Sequence, residues 1–215
     1  MNILIYWFKK HIKIKMHIIS FDIGEKNFAF SFIKFTKEEN TPVFEVEDVN
    51  LYNIIEKQKQ TIVESCCKIS NLLQTYDDKI CACEFILIEQ QIRSNIRAQR
   101  ISQHVWSYLH TKYVTGEKSG PHPQIVSVSS TLKTKMFTAE DLNKNQRKKW
   151  VANLVLTKKI VDLAKAHAIT AIISDDVLKK TQLLIKHDDV CDTIVQSLAF
   201  LIKNPKITKN LLTLA

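Results

Sequence analysis

The stretch "IISFDIGEKNFAF", residues 18–30, places an aspartate, Asp22, at the end of an apolar run and a glycine, Gly24, two residues later. Apolar and aromatic residues resume at Phe28, so the pattern predicts two strands joined by the turn-like "GEKN". A buried strand can end without a carboxylate. Asp22 therefore either caps the turn before Gly24, as aspartates often do, or has a chemical function.

Apolar periodicity around this stretch predicts a mixed α/β protein. Strands are predicted at 17–23, 28–35, 43–51, 82–90 and 123–130. Helices are predicted at 53–75, 91–114, 146–168 and 188–203. A three-strand meander followed by strand–helix alternation indicates one mixed five-stranded sheet with helices on both faces. We therefore expect a basic N-terminal extension over residues 1–15 and a single α/β domain over 16–215.

Composition favours a polyanionic partner. The chain has 215 residues, is 45% hydrophobic and carries a formal net charge of +9. No apolar stretch approaches the roughly 20 residues of a membrane span, so we expect a soluble, intracellular protein without a membrane partner. The first 21 residues contain four lysines and no arginine, a composition that argues against a mitochondrial presequence. The five cysteines lack the spacing of a zinc site.

Carboxylates recur where one edge of the sheet could collect them. Asp22 ends the first strand, and Glu89 ends the apolar run "ACEFILIEQ". The segment "HDDVCD" opens the last helix and places Asp189 and Asp192 on one face. Ligands of an open sheet gather outside the carboxyl ends of its strands. Because clustered carboxylates repel each other and raise each other's pKa, this group indicates bound divalent cations.

Each acid also has a structural interpretation when it is considered alone. Asp188 or Asp189 could cap the last helix, where an acid complements the helix dipole. Glu89 is harder to explain in this way, because its strand is predicted to run through the core. The coincidence of all the acids at one inferred edge favours the metal site.

Oxygen ligands of this kind select Mg²⁺ or Mn²⁺. Two such ions about 3.5–4 Å apart can activate a water and stabilise the leaving oxygen of a phosphodiester. The sequence therefore predicts a nuclease centre with two ions per active site.

Basic residues support a nucleic-acid substrate. No acid occurs from residue 90 to 116, while Arg93, Arg97 and Arg100 recur at helical intervals. They predict a positive stripe that contacts phosphates beside Glu89, although a solvated helix face is the alternative. A second cation-only cluster comprises Lys144, Arg147, Lys148 and Lys149.

Three motifs in order carry a family resemblance. The segments "SFDIGEKNFAFSF" (20–32), "LIEQQIRSNIRAQRISQHVWSYL" (87–109) and "HDDVCDTIVQSLAF" (187–200) resemble those of RuvC-like Holliday junction resolvases of the ribonuclease H superfamily. The wording "D-I-G-x-K-N-x-A" and "I-E-Q-Q-x-R" is most similar to that of the poxvirus-type enzymes. The resemblance extends from about residue 16 to 203, and the high lysine, isoleucine and asparagine usage suits a viral source. A viral enzyme would act in the host cytoplasm or the virion.

The resemblance implies a ribonuclease H-like fold, a homodimer, and Mg²⁺-dependent, paired symmetric nicking of four-way DNA junctions. The implied catalytic and metal-binding acids are Asp22, Glu89, Asp189 and Asp192. Asp188 could replace Asp189, but the family spacing of three favours Asp189. The family also places a lysine near the scissile phosphate.

The lysine assignment stays open in the sequence. Lys133 is the first candidate, and Lys148 or Lys149 is the second. The connection at 169–187 is longer than in the smaller bacterial enzymes and leaves the spacing to Asp189 open. Two other functions share these acids or this surface: a ribonuclease H-type nuclease that cuts RNA–DNA hybrids, and a non-catalytic junction-binding module.

Overall fold

The computed structural model describes residues 15–38, 41–56, 59–92, 94–116, 122–138 and 140–207. The predicted basic extension lies outside these residues except for Lys15, with which the first strand begins. The strands in this part of the chain are β1 (Lys15–Ile23), β2 (Phe28–Glu38), β3 (Thr41–Tyr52), β4 (Phe85–Glu89), β5 (Gln124–Val128) and β6 (Thr170–Ile173). They form one mixed sheet in the order β5-β4-β1-β2-β3-β6.

Helices cover both faces of this sheet, as the sequence predicts. The described helices are α1 (Ile62–Thr75), α2 (Asp77–Cys81), α3 (Ile96–Leu109), α4 (Leu132–Phe137), α5 (Lys144–Leu156), α6 (Lys159–Ala166), α7 (Asp175–Leu183) and α8 (His187–Lys203). A π-helical turn, His110–Val114, continues α3. One hydrophobic cluster joins the sheet to α5 and α8, and a second joins it to α1 and α3. Among the described helices, none combines the length and the apolar character that a membrane span requires.

Strand β1 positions the site because it lies between β2 and β4. It pairs antiparallel with β2 and parallel with β4, and Phe21 is level with Ile88. The next residues along these two parallel strands are Asp22 and Glu89. Since neighbouring parallel strands in register direct matching side chains to the same face, both acids reach the same edge and face of the sheet.

Helix α8 packs on the same face through a short polar contact in the core. Gln196 Nε2 donates a hydrogen bond of 2.9 Å to Ser20 Oγ in β1. Thr193 Oγ1 donates one of 2.9 Å to Ser31 Oγ in β2. Buried hydroxyl and amide groups need such partners. These contacts therefore fix the position of α8 on the sheet, and with it the position of the first turns of the helix.

The structure differs from the sequence-based expectation in the connection 169–187. This segment holds a strand and a helix, β6 and α7, so the sheet has a sixth strand beside the five predicted. Strand β6 has only four residues and alternates exposed with buried side chains. So short a run is easily overlooked in a sequence because it carries little periodic signal.

Two predicted helices also have different bounds. The helix predicted over 146–168 is divided into α5 and α6 at Lys158, which has a left-handed φ of 59°. The helix predicted from residue 53 begins at Ile62. Thr61 and Glu64 form a capping box there, and the T-x-x-E spacing is the sequence signal for that start.

Candidate active site

Three carboxylates from β1 and α8 meet at the carboxyl edge of the sheet. Asp22, Asp189 and Asp192 each offer one oxygen, and these oxygens lie within 4.8 Å of one another. The helical spacing of Asp189 and Asp192 places both on the side of α8 that faces Asp22. The sheet edge and the helix start thus bring together residues that are 167 positions apart in the sequence.

Lys133 connects this group to Glu89. Its ammonium donates to Glu89 Oε2 at 3.0 Å and lies 2.8 Å from Asp192 Oδ1. The Lys133 side chain is 5% exposed, and those of Glu89 and Asp192 are 14% and 16% exposed. The short helix α4 after β5 delivers this lysine, which is the first of the sequence candidates.

Lys148 occupies the outer side of the same group. Its Nζ donates to Asp188 Oδ2 and to Asp189 Oδ1, both at 2.6 Å. Asp188 is therefore directed toward Lys148 and is not a member of the three-oxygen group. Lys149, the alternative to Lys148 as second candidate for the lysine near the scissile phosphate, is exposed on α5.

Burial and like charge shift the ionisation of these groups in a consistent way. Burial raises the pKa of Asp22 well above its usual value, and Glu89 and Asp192 raise it further, against the effect of Lys133. Burial also raises the pKa of Glu89 and of Asp189, although Lys133 and Lys148 respectively oppose it. Burial by itself would lower the pKa of Lys133, but Asp192 and Glu89 outweigh it and raise that pKa.

The donor set fits a hard divalent cation. Five carboxylates, Asp22, Glu89, Asp188, Asp189 and Asp192, face two ammonium groups, Lys133 and Lys148. Ionisation of all seven groups would leave an excess of negative charge, and the carboxylates of Glu89 and Asp192 add to the effect of burial in raising the pKa of Asp22. Carboxylate oxygens are the ligands that Mg²⁺ and Mn²⁺ prefer, so the chemistry of this site matches the predicted ions.

An acid from another segment of the chain reduces the positive charge of the predicted stripe of Arg93, Arg97 and Arg100. Arg97 Nε donates to Glu25 Oε2 at 2.7 Å, and Arg97 Nη2 contacts Glu25 Oε1. The hydrogen bond from Arg97 lowers the pKa of Glu25. Arg100 is exposed and forms no ion pair with the described residues, whereas Arg93 lies outside them. The stripe is therefore partly neutralised at Arg97.

The second basic cluster lies on α5 beside the acids. Lys144 and Lys149 are exposed and Arg147 is partly exposed, while Lys148 is held by Asp188 and Asp189. Lys148 thus faces the carboxylates, and its neighbours face solvent. Binding of DNA by this cluster stays a prediction.

Sequence reasoning missed the contribution of Glu25. Besides binding Arg97, its Oε1 accepts a 2.6 Å hydrogen bond from Ser65 Oγ in α1. The turn after β1 is thereby tied to both α1 and α3. Nothing in the local pattern around Glu25 signals this role, because both partners come from other segments of the chain.

Comparison by sequence gives one viral relative. No family model matches the chain. The chain is 26% identical over 216 residues to "Uncharacterized protein 97L" of Invertebrate iridescent virus 3, covering 82% of this chain and 95% of that protein.

Comparison by structure gives proteins with the same fold. The yeast mitochondrial Holliday junction resolvase Ydc2 matches with a TM-score of 0.60 and 16% identity, over 90% of this chain and 82% of that one. The fowlpox virus Holliday junction resolvase matches at 0.54 and 15%, over 87% and 99%. Thermus thermophilus RuvC matches at 0.53 and 9%, over 90% and 97%. The chain therefore has the ribonuclease H-like fold of these proteins, and the resemblance seen in the sequence is confirmed at the level of the fold.

Proposed function

We propose that the chain is a metal-dependent Holliday junction resolvase, an endodeoxyribonuclease that makes paired symmetric nicks in four-way DNA junctions. The observation that carries the proposal is the convergence of Asp22, Asp189 and Asp192 at one sheet edge. Glu89 and Lys133 lie beside them. The fold shared with the yeast, fowlpox and Thermus proteins supports the choice of substrate.

In this proposal Asp22, Glu89, Asp189 and Asp192 hold two Mg²⁺ or Mn²⁺ ions. When bound, such ions supply Lewis-acid activation of water and stabilise a leaving oxygen. Lys133 keeps a positive charge between Glu89 and Asp192, where it stabilises negative charge that develops on a phosphate oxygen. Asp188 holds Lys148 beside Asp189 and so orients that carboxylate. The products are ends with a 5′-phosphate and a 3′-hydroxyl, which a ligase can join.

The symmetry of a four-way junction leads us to expect a homodimer. A four-way junction presents two strands related by an approximate two-fold axis, and a C₂ dimer presents two identical sites with that symmetry. Sedimentation measures the oligomeric state directly. Release of linear product from a cruciform plasmid without accumulation of nicked circles would show that the two cuts are paired.

The proposal is tested with three labelled substrates of matched sequence: a mobile four-way junction, a linear duplex, and an RNA–DNA hybrid. We expect nicking of the junction in Mg²⁺ or Mn²⁺, none in EDTA, and little cutting of the linear duplex. Faster cutting of the hybrid would replace the proposal with the ribonuclease H-type alternative. Tight junction binding without any divalent-ion-dependent nicking would favour the binding module.

Salt dependence should distinguish Arg100 from Arg97. Each phosphate contact contributes about 0.9 to the slope of log affinity against log salt concentration. Arg100→Ala should lower the magnitude of that slope by about 0.9. Arg97→Ala should lower it less, because Glu25 already neutralises Arg97. Junction binding in EDTA at several salt concentrations measures both slopes, and an equal or larger change for Arg97→Ala would contradict this assignment.

A further inference from the structure

An open groove lies beside Glu89, between the carboxyl end of β4, helix α3 and strand β5. Its volume of about 860 Å³ is within the range of roughly 300–1,000 Å³ that is usual for ligand sites. Four of the ten residues that line the groove are glutamines. Its lining includes Gln90, Gln91, Gln99, Gln103, Arg100 and Trp106.

Most of these polar groups are available to a ligand. Gln91 Nε2 makes a long contact of 3.4 Å to Glu89 O, and Gln103 Nε2 makes one of 3.5 Å to Ser107 Oγ. Within the residues that the structure describes, the amides of Gln90 and Gln99 form no side-chain hydrogen bond. Amide groups each carry two donors and an acceptor, so the groove offers a dense set of unused hydrogen-bonding positions.

The helix holds these groups in a fixed arrangement. Gln99 and Gln103 are one turn apart on α3 and therefore lie on the same face, one above the other. The adjacent face of α3 is buried in the core through Ala98, Ile101 and Val105. Trp106, one turn further along, is fixed by stacking on His110, with ring centroids 4.8 Å apart and an interplanar angle of 11°. Groups on an anchored helix are preorganised for binding.

The chemistry of the groove matches a purine base. A glutamine amide can bond to N6 and N7 of adenine. This pairing uses the N7 edge, which pyrimidines lack. An indole ring adds a surface on which a base can stack. The glutamines and Trp106 therefore supply edge recognition and stacking in one groove, and Arg100 beside them is left to contact a phosphate.

We propose that this groove binds a purine base of the cleaved strand next to the scissile phosphate, and thereby selects the junction sequence that is cut. The inference rests on the function proposed above, since Glu89 belongs to both the groove and the proposed catalytic group. Extracting a base costs least where it is already unpaired or unstacked. The proposal therefore places this base at the exchange point, where strands pass between the arms of the junction.

Cleavage specificity tests the proposal. Wild-type protein would be given junctions randomised around the exchange point, and the cut products would be sequenced. We expect a purine at one fixed position from the nick, favoured by about 10-fold, which is the discrimination that one bidentate pair supplies. The double variant Gln99→Ala/Gln103→Ala should retain cutting but lose most of this preference. Gln74→Ala, exposed on α1, is the matched control and should leave the preference unchanged.

A second measurement separates this site from catalysis. A fluorescent purine, 2-aminopurine, is placed in turn at each position around the exchange point, and binding is followed in EDTA, where no cutting occurs. A fluorescence change that the double variant loses supports the groove, even if the wild type cuts no junction and the proposed function fails. Unchanged sequence preference in the double variant would overturn the inference. Conversion of the protein from dimer to monomer by the same substitutions would also overturn it, because a second copy would then cover the groove.

Discussion

Asp22→Asn is expected to abolish junction cleavage, with a loss of at least about 10³-fold, comparable to the removal of a major group that stabilises a transition state. Asp22 supplies one of three oxygens that lie within 4.8 Å of one another. An amide carries no charge and binds divalent cations more weakly than a carboxylate does. Junction binding should persist, because it depends on basic residues elsewhere. Single-turnover cleavage and mobility-shift assays measure the two properties separately.

The same substitution should raise the melting temperature in EDTA. Burial, Glu89 and Asp192 raise the pKa of Asp22, so its ionised form destabilises the folded state. A group whose pKa is raised on folding costs stability above the folded pKa, and this cost disappears below the unfolded pKa. The gain from Asp22→Asn should therefore be present at neutral pH and absent in acid. Added Mn²⁺ should stabilise the variant less than it stabilises the wild type.

Asp162→Asn on α6 is the control for these measurements, since Asp162 is exposed. It should change neither cleavage nor the stabilisation by Mn²⁺. Normal turnover by Asp22→Asn would eliminate the proposed catalytic group. An unchanged Mn²⁺ shift would show that the ions bind elsewhere.

Lys133→Met should lower the free energy of unfolding in EDTA by about 3 kcal/mol, the cost of breaking a buried ion pair by removal of one partner. The 5% exposed side chain of Lys133 lies between Glu89 and Asp192. Its removal leaves two carboxylates without their compensating ammonium. Urea denaturation of the variant and the wild type measures the difference.

The loss in Lys133→Met should be partly reversed by Mn²⁺, because bound cations would neutralise the same carboxylates. It should also shrink as the pH is lowered, since burial raises the pKa of Glu89 and its protonation removes an uncompensated charge. Lys165→Met, at an exposed position of α6, is the matched control. Equal stability of Lys133→Met and this control would show that Lys133 does not compensate the acids.

The elements that carry the acids could be predicted from sequence because their signals are local. Apolar runs ending in Asp22 and Glu89 predict β1 and β4, and helical spacing predicts α8 with Asp189 and Asp192 on one face. Their convergence could also be inferred, since the carboxyl ends of parallel strands share an edge. The short strand β6 could not be predicted in this way. Its four residues carry little periodic signal, and they form a strand because they pair with β3.

Partners of the charged side chains could not be predicted in the same way. Arg97 and Glu25 are 72 residues apart, Lys148 and Asp189 are 41 apart, and Lys133 and Glu89 are 44 apart. Each lysine or arginine has a local pattern that also suits an exposed DNA contact. Whether it instead binds an acid depends on which segments the fold brings alongside it.

Side-chain periodicity and chain direction are properties of neighbouring residues, so the strands and helices that bear Asp22, Glu89, Asp189 and Asp192 can be predicted from the amino-acid sequence. Three contacts become visible only in the folded chain: Asp188 is directed toward Lys148, Glu25 pairs with Arg97, and glutamines of α3 line a groove beside Glu89. Those contacts depend on distances between segments far apart in the chain, and such distances are set when the helices pack on the sheet.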